Sequence, residues 1–231
     1  TYLREQDVVA WGRQVTRSCD AFESVAVIPH PNGTRDQVWV ATRRTLTGAT
    51  KRCIEYVEDV GQYYETLNVD CGMTCDTGVA VTMVDQIGHL ECATVVFVGD
   101  GAVYPPQVVV GKKIRFTPAA QRVEVGLAYT STLKTVRPEI ATGSGTMQAL
   151  KVRWAEITVR VLKTLGLTIQ DNIIPFRKAG DPMDAPPPLF TGDKRVQVTG
   201  WEDGKNQLTI TQTQPLPATV VLITGILDSG G

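Results

Sequence analysis

Three stretches of this sequence set a short turn signal between runs rich in Val, Thr, Ile and Tyr, and that pattern limits the fold more than any other feature. In DQVWVATRRTLTGATKRCIEYVED the turn is Thr47-Gly48, with Val38, Val40 and Thr42 on one strand face and Trp39 and Ala41 on the other. In ATVVFVGDGAVYPPQVVVGKKIRF it is Asp100-Gly101, a dipeptide that accepts the positive φ angles of tight hairpins. In RVQVTGWEDGKNQLTITQTQ it is Asp203-Gly204, after which Leu208, Ile210 and Gln212 alternate with Thr209, Thr211 and Thr213. A period of two gives each strand one face to bury and one to leave wet. With 21 Gly, few aromatics and abundant Val and Thr, the composition leans the same way. The expected fold class is all-β, built of short antiparallel hairpins with little helix.

Two segments need separate treatment. In MQALKVRWAEITVRVLKTLGL, Met147, Leu150, Trp154, Ile157, Val161 and Leu165 fall at helical spacing, yet Ile157, Val159 and Val161 also alternate with Thr158 and Arg160. Periodicity alone does not choose between these. The β-branched residues after Trp154 favour a strand from about that point. The stretch FRKAGDPMDAPPPLFTGDK reads as a loop, because Pro182, Pro186, Pro187 and Pro188 fix φ and remove backbone donors. Its triple proline favours an extended, preset shape, which makes Leu189 and Phe190 candidate anchors on a partner surface. The alternative is a loop packed on its own domain.

The charge balance excludes some roles. Lys and Arg number 23 against 24 Asp and Glu, a net charge of −1, so nothing favours a surface that coats nucleic acid or anionic membrane. The apolar run ATVVLITGIL is about half the length of a spanning helix. The opening TYLREQDVVAW has no initiator Met and already reads as a strand, so the chain is expected to be a piece of something longer or a processed product.

Candidate chemistry is sparse. Cys71 and Cys75 stand in LNVDCGMTCDTG as Cys-x-x-x-Cys, and His89 and Cys92 could join them to bind zinc only if the intervening chain folded back tightly. A redox pair would want Cys-x-x-Cys beside a βαβ unit. With Cys19 and Cys53 the cysteines number five, an odd count, and the expectation is small, mostly buried thiols. His30 is the only other histidine. The GSG at 143–145 lacks the nucleophile elbow, and VGDGAV lacks the phosphate-loop lysine and its following helix. Asp181 and Asp184 are the nearest approach to a catalytic carboxylate pair, but short acids beside proline more often cap turns. NGT at 32–34 matches a glycosylation acceptor in a turn-like setting. Trp11, Trp39, Trp154 and Trp201 could stack sugars or bases, although a lone strand Trp is more often core. The expectation is no enzyme, no cofactor and no metal.

The ordered landmarks say more. YLREQDVVAWGRQVT, FESVAVIP, DQVWVATRRT and KRCIEYVED are followed by HLE, VVFVGDGAVYPPQVVVGKKI and VEVGLAYTSTLKTVRPE. EITVRVLKTLGLTI, DPMDAPPPLFTGDKRVQVTGW and LTITQTQPLPATVVLI come next. Across nearly the whole chain this series resembles the C-terminal portion of the tail tubular protein B, or tail nozzle, family of short-tailed bacteriophages and their prophage relatives. It departs from the pattern at HLECATV and at GSGTMQALKVRWAE. Similar proteins commonly carry polar or small residues in place of Cys71 and Cys75, which sets those cysteines beside a strand end and turn.

The resemblance implies a longer protein with a propeller-like or multi-domain β body. Residues 1–66 would form a blade-like segment, 67–140 a small β domain, and 141–231 a segment with the Pro-rich loop that returns the chain to the body. It implies a virion structural protein in the phage tail, a homo-oligomeric ring with six-fold symmetry. The ring would attach below the adaptor ring, carry fibres or spikes, and pass genome DNA without sequence-specific binding. A near-neutral chain is compatible with a lumen that does not hold phosphate. The rival expectation is a β-rich receptor- or glycan-binding module of a tail.

Overall fold

The computed structural model describes residues 2–3, 8–9, 12–16, 20–31, 33, 35–58, 67–138, 141–142, 145–146, 151–182, 185–197 and 207–230. The chain divides into two compact units, Thr1–Glu58 and Asp59–Gly231. Both are β structures in which every strand pair is antiparallel. The all-β expectation holds. The only helical element among the described residues is one 3-10 turn at Gly88–Leu90.

In the first unit, β1 (Tyr2–Leu3) pairs with β2 (Val8–Val9). Strands β3 (Ala21–Pro29), β4 (Asp36–Leu46) and β5 (Ala49–Tyr56) form a sheet in that order. Thr47 and Gly48 take φ of 50° and 82° with Leu46 opposite Ala49, the two-residue hairpin that the sequence predicts. The buried face of β4 carries Thr42, Arg44 and Leu46.

Alternation read as hydrophobic-in does not anticipate an arginine there. Its charge is matched on three sides. Nε and Nη2 donate to the two carboxylate oxygens of Glu55, each at 2.6 Å. Nη1 donates to Asp20 Oδ2 and Thr16 Oγ1, both at 3.1 Å, and the other Asp20 oxygen accepts the Thr45 N–H at 2.8 Å. The Arg44 and Asp20 side chains are each 1% exposed, so these bonds stand in for lost water.

The second unit begins with β6 (Asp70–Val84), β7 (Thr94–Gly99), β8 (Ala102–Val108) and β9 (Ile114–Leu127), ordered β6-β9-β7-β8. Asp100 and Gly101 take φ of 48° and 83° with Gly99 opposite Ala102, again as predicted. Pro105 and Pro106 fall on β8, an edge strand, at a register shift in its pairing with β7 where neither residue has a ladder partner. Phe97, Tyr104 and Phe116 form an aromatic core with centroids 5.1 to 5.5 Å apart. Burial and the nearby Asp100 charge both push the Tyr104 hydroxyl pKa up, and that hydroxyl donates to Pro118 O at 2.9 Å. Where β6 meets β9 the backbones nearly touch. A Cβ on Gly126 would lie 2.8 Å from both Asp70 O and Gly72 Cα, which only glycine avoids.

The remaining strands are β10 (Ser131–Lys134), β11 (Ala141–Thr142), β12 (Gly145–Thr146), β13 (Lys151–Thr164), β14 (Leu167–Ile169), β15 (Asn172–Ile174), β16 (Phe190–Gln197), β17 (Thr209–Gln212) and β18 (Val220–Gly230). They build sheets ordered β16-β13-β18 and β10-β17-β14-β15, and β11 pairs with β12. The helix-or-strand ambiguity resolves to strand from Lys151 onward, while Met147 and Leu150 lie outside the described residues. Ile157, Val159, Val161, Leu208 and Ile210 bury together in one core, as their alternation requires. Phe190 opens β16, so the proline loop is shorter than the sequence suggests and its last five residues are strand. The Asp203-Gly204 turn lies outside the described residues.

Arg44→Met is predicted to leave the buried Asp20 and the half-buried Glu55 without their counter-charge and to cost about 3 kcal/mol. Urea denaturation followed by Trp39 fluorescence reads this, and an unchanged midpoint would show that the network contributes no stability.

Candidate functional site: a proline-walled cleft

The proline loop is held by its own chain. The Arg177 guanidinium donates from Nη1 to Pro182 O and from Nη2 to Ala185 O, the latter at 3.0 Å. Asp181 closes the turn before it. Its Oδ2 accepts the Lys178 N–H at 2.6 Å and its own N–H donates to Lys178 O at 3.1 Å. Asp181 thus closes a turn, as a short acid beside proline is expected to, and Asp184 lies outside the described residues.

Beyond the prolines, Leu189 and Phe190 turn inward against the core of the second unit. This packing is what the alternative reading expects, a loop packed on its own domain. Phe190 meets Phe176 edge-on at 6.0 Å, and the Lys194 ammonium sits 4.3 Å from the Phe190 centroid and 5.0 Å from that of Phe176. Lys194 also donates to Pro175 O at 2.7 Å. Burial first, and then the Lys178 charge, lower the pKa of Lys194.

Pro186, Pro187, Pro188 and Leu189 form one wall of a cleft of about 430 Å³, and Pro215, Leu216 and Pro217 form another. The second wall is pinned by Gln212, whose Nε2 donates to Leu165 O at 2.7 Å and Leu216 O at 3.1 Å. The Leu165 N–H donates to Pro217 O at 2.8 Å. The polar side comes from the hairpin end: Asn68, Asp100, Gly101, Arg122 and Glu124. The Asp100 carboxylate accepts the N–H groups of Gln121 and Arg122, each at 2.9 Å, and its own N–H donates to Arg122 O at 2.9 Å. Arg122 Nη2 donates to Glu124 Oε1 at 3.3 Å. A Cβ on Gly101 would lie 3.6 Å from Pro186, so the hairpin tip meets the proline wall directly.

Proline walls are rigid, apolar and rich in carbonyl acceptors, and they carry no N–H of their own. Set against two carboxylates and one guanidinium, they suit a partly apolar guest that brings cationic donors. The volume falls in the range of ordinary small-ligand or side-chain pockets, about 300–1,000 Å³. Sequence reading singled out the proline loop. It missed Pro215 and Leu216, whose only signal was the repeated proline of QPLP, and Arg122 and Glu124, which carried none.

The other candidates scatter. Cys71, at φ 49° near the start of β6, and Cys75, farther along it, are half-buried, and Cys92 is exposed, so the expectation of mostly buried thiols fails. None of Cys53, Cys71, Cys75 and Cys92 is in a disulfide. The chain does fold back enough to bring His89 Nε2 within 3.3 Å of Cys71, but of its carbonyl oxygen. Among the described residues no three of His, Cys, Asp and Glu converge as a metal-holding group. Trp154 packs on the core, and Trp39 lies 5.4 Å from Tyr56 with its indole N–H donating to Gln37 Oε1 at 3.0 Å. Trp11, Trp201, Cys19, Asn32 and Thr34 lie outside the described residues. No described helix is long and apolar enough to cross a membrane.

Asp100→Ala is predicted to release two backbone donors at the cleft floor and to lower stability by about 1 kcal/mol. Faster hydrogen exchange at the amides of Gln121 and Arg122 would accompany it, and unchanged exchange there would contradict the clamp.

No protein-family model matches the sequence, and no curated protein matches it significantly.

Proposed function

We propose that this chain is a virion structural protein, a subunit of the tail nozzle or tail tube of a short-tailed phage that acts by assembly rather than by catalysis. The observation that supports assembly is the apolar side chains that the strands present to solvent. Strand β3 turns out Val25, 66% exposed, and β5 turns out Ile54, 79% exposed. At the other end of the chain, Ile226 on β18 is 59% exposed beside exposed Leu222 and Val221. Strand β18 is an edge with neither proline nor lysine to discourage pairing. Such surface is a liability on a lone subunit and useful on one that is covered by neighbours.

The identity of the assembly rests on the ordered landmarks REQDVVAW, VGLAYTS and PPPLFTGDK. By that resemblance the subunits close a six-fold ring below the adaptor ring, with fibres or spikes attached and DNA passing through. Small antiparallel sheets of this kind would pack there in a propeller-like or multi-domain body. In a ring each copy uses two different patches, one for each neighbour.

Native mass spectrometry and sedimentation over a range of concentrations test the reading. The expected result is a closed species of several copies. A monomer at every concentration would contradict it and shift weight to glycan recognition, for which the half-exposed Tyr56 beside Trp39 is the best platform.

A further inference from the structure

The connection between β8 and β9 is a second fixed feature of the second unit. The Gly111 and Lys112 N–H groups donate to the two carboxylate oxygens of Glu91, at 2.8 and 2.6 Å. The Val110 N–H donates to Lys113 O at 3.2 Å, and Gly111 and Lys112 both sit at φ 63°. The result is a rigid tip that presents Val110, 68% exposed, followed by Lys112 and Lys113.

This tip and the proline-walled cleft lie at opposite ends of the same strand. The Asp100-Gly101 turn that floors the cleft precedes β8, and the Val110–Lys113 tip follows it. At about 3.3 Å per residue, the seven residues of β8 hold the two roughly 23 Å apart. A tip cannot reach the cleft of its own sheet across that rigid span. It can reach the cleft of another copy.

The chemistry of the two ends is complementary. The cleft offers a prolyl and leucyl wall, carbonyl acceptors without matching N–H donors, and one carboxylate in excess among Asp100, Glu124 and Arg122. The tip offers an exposed apolar side chain and two ammonium groups against the single Glu91 carboxylate that holds the turn, so one positive charge is in excess. Opposite charge at such a contact sets register and speeds encounter more than it adds raw affinity. We propose that the Val110–Lys113 turn of one copy docks in the proline-walled cleft of the next, forming a head-to-tail contact. The proposal rests on the assembly reading and supplies the pair of unlike patches that such a contact needs. Repetition closes a ring where the rotation closes and otherwise makes a filament.

The test uses the whole chain with Val110→Cys and Pro188→Cys combined, under mild oxidation, with each single variant as a control for the native cysteines. A covalent ladder of dimers and larger species in the double variant alone is the expected result. A second, independent variant is Lys112→Glu with Lys113→Glu, on an exposed turn whose backbone bonds do not use the side chains. It should weaken self-association at least tenfold with an unchanged circular dichroism spectrum. If the native chain assembles while no pair-specific ladder forms and the charge reversal has no effect, the contact is wrong and the assembly reading stands. If the native chain is a monomer throughout, both fall.

Discussion

At Thr47-Gly48, Asp100-Gly101 and Gln170-Asp171 the backbone holds two successive positive φ angles, and each pair joins strands with no residue to spare. A two-residue turn of this kind fixes which residue faces which across the hairpin. The side-chain period of a strand is two, so a slip of one residue would turn Val95 and Phe97, or Leu167 and Ile169, from core to solvent. Burial of those side chains in turn disfavours any other pairing. Turn chemistry and core burial thus enforce the same register, and the cleft inherits its geometry from that agreement.

The polar groups of the chain follow a common logic. Asp100, Glu91 and Asp181 each spend a carboxylate on backbone N–H groups at a turn, and Arg44 is matched by two acids and a threonine inside the first unit. A carboxylate bound to backbone donors organises a connection without adding bulk. This is why the β7–β8 and β8–β9 connections can act as fixed ends rather than as wandering loops. One of them floors a cleft, and the other presents an apolar residue and two lysines. A rigid element with unlike, complementary ends is what a subunit needs if it is to join identical neighbours in sequence.

Much of the β character was legible because it rests on local signals. The Thr-Gly and Asp-Gly turns, and the alternation of Leu208 and Ile210 with threonines, each carry their own meaning. Gln170-Asp171 carried no such signal, since neither residue is glycine, and its hairpin is held by burial of Leu167, Ile169 and Ile174. Arg44 was misleading in a different way. Alternation assigns a face but not its polarity, and a buried arginine is permitted only by Asp20 and Glu55, which lie 24 and 11 residues away in sequence. The cleft was half legible for the same reason. Proline content marked one wall, but the second wall and the Arg122–Glu124 side arrive from distant segments that only folding brings together. Phe190, exposed by the logic of a loop, is drawn inward by an aromatic and cationic cluster formed with Phe176 and Lys194, and Leu189 packs on the same core.

An account in which this chain works through contacts between copies makes its clearest demand on local protection. Hydrogen–deuterium exchange on the chain at low and at high concentration measures that directly, peptide by peptide. The account predicts protection that grows with concentration at two places, the Val110–Lys113 turn and the cleft segments around Gly101 and Leu189, with the interior of β9 unchanged. Exchange that is independent of concentration at every peptide would contradict it.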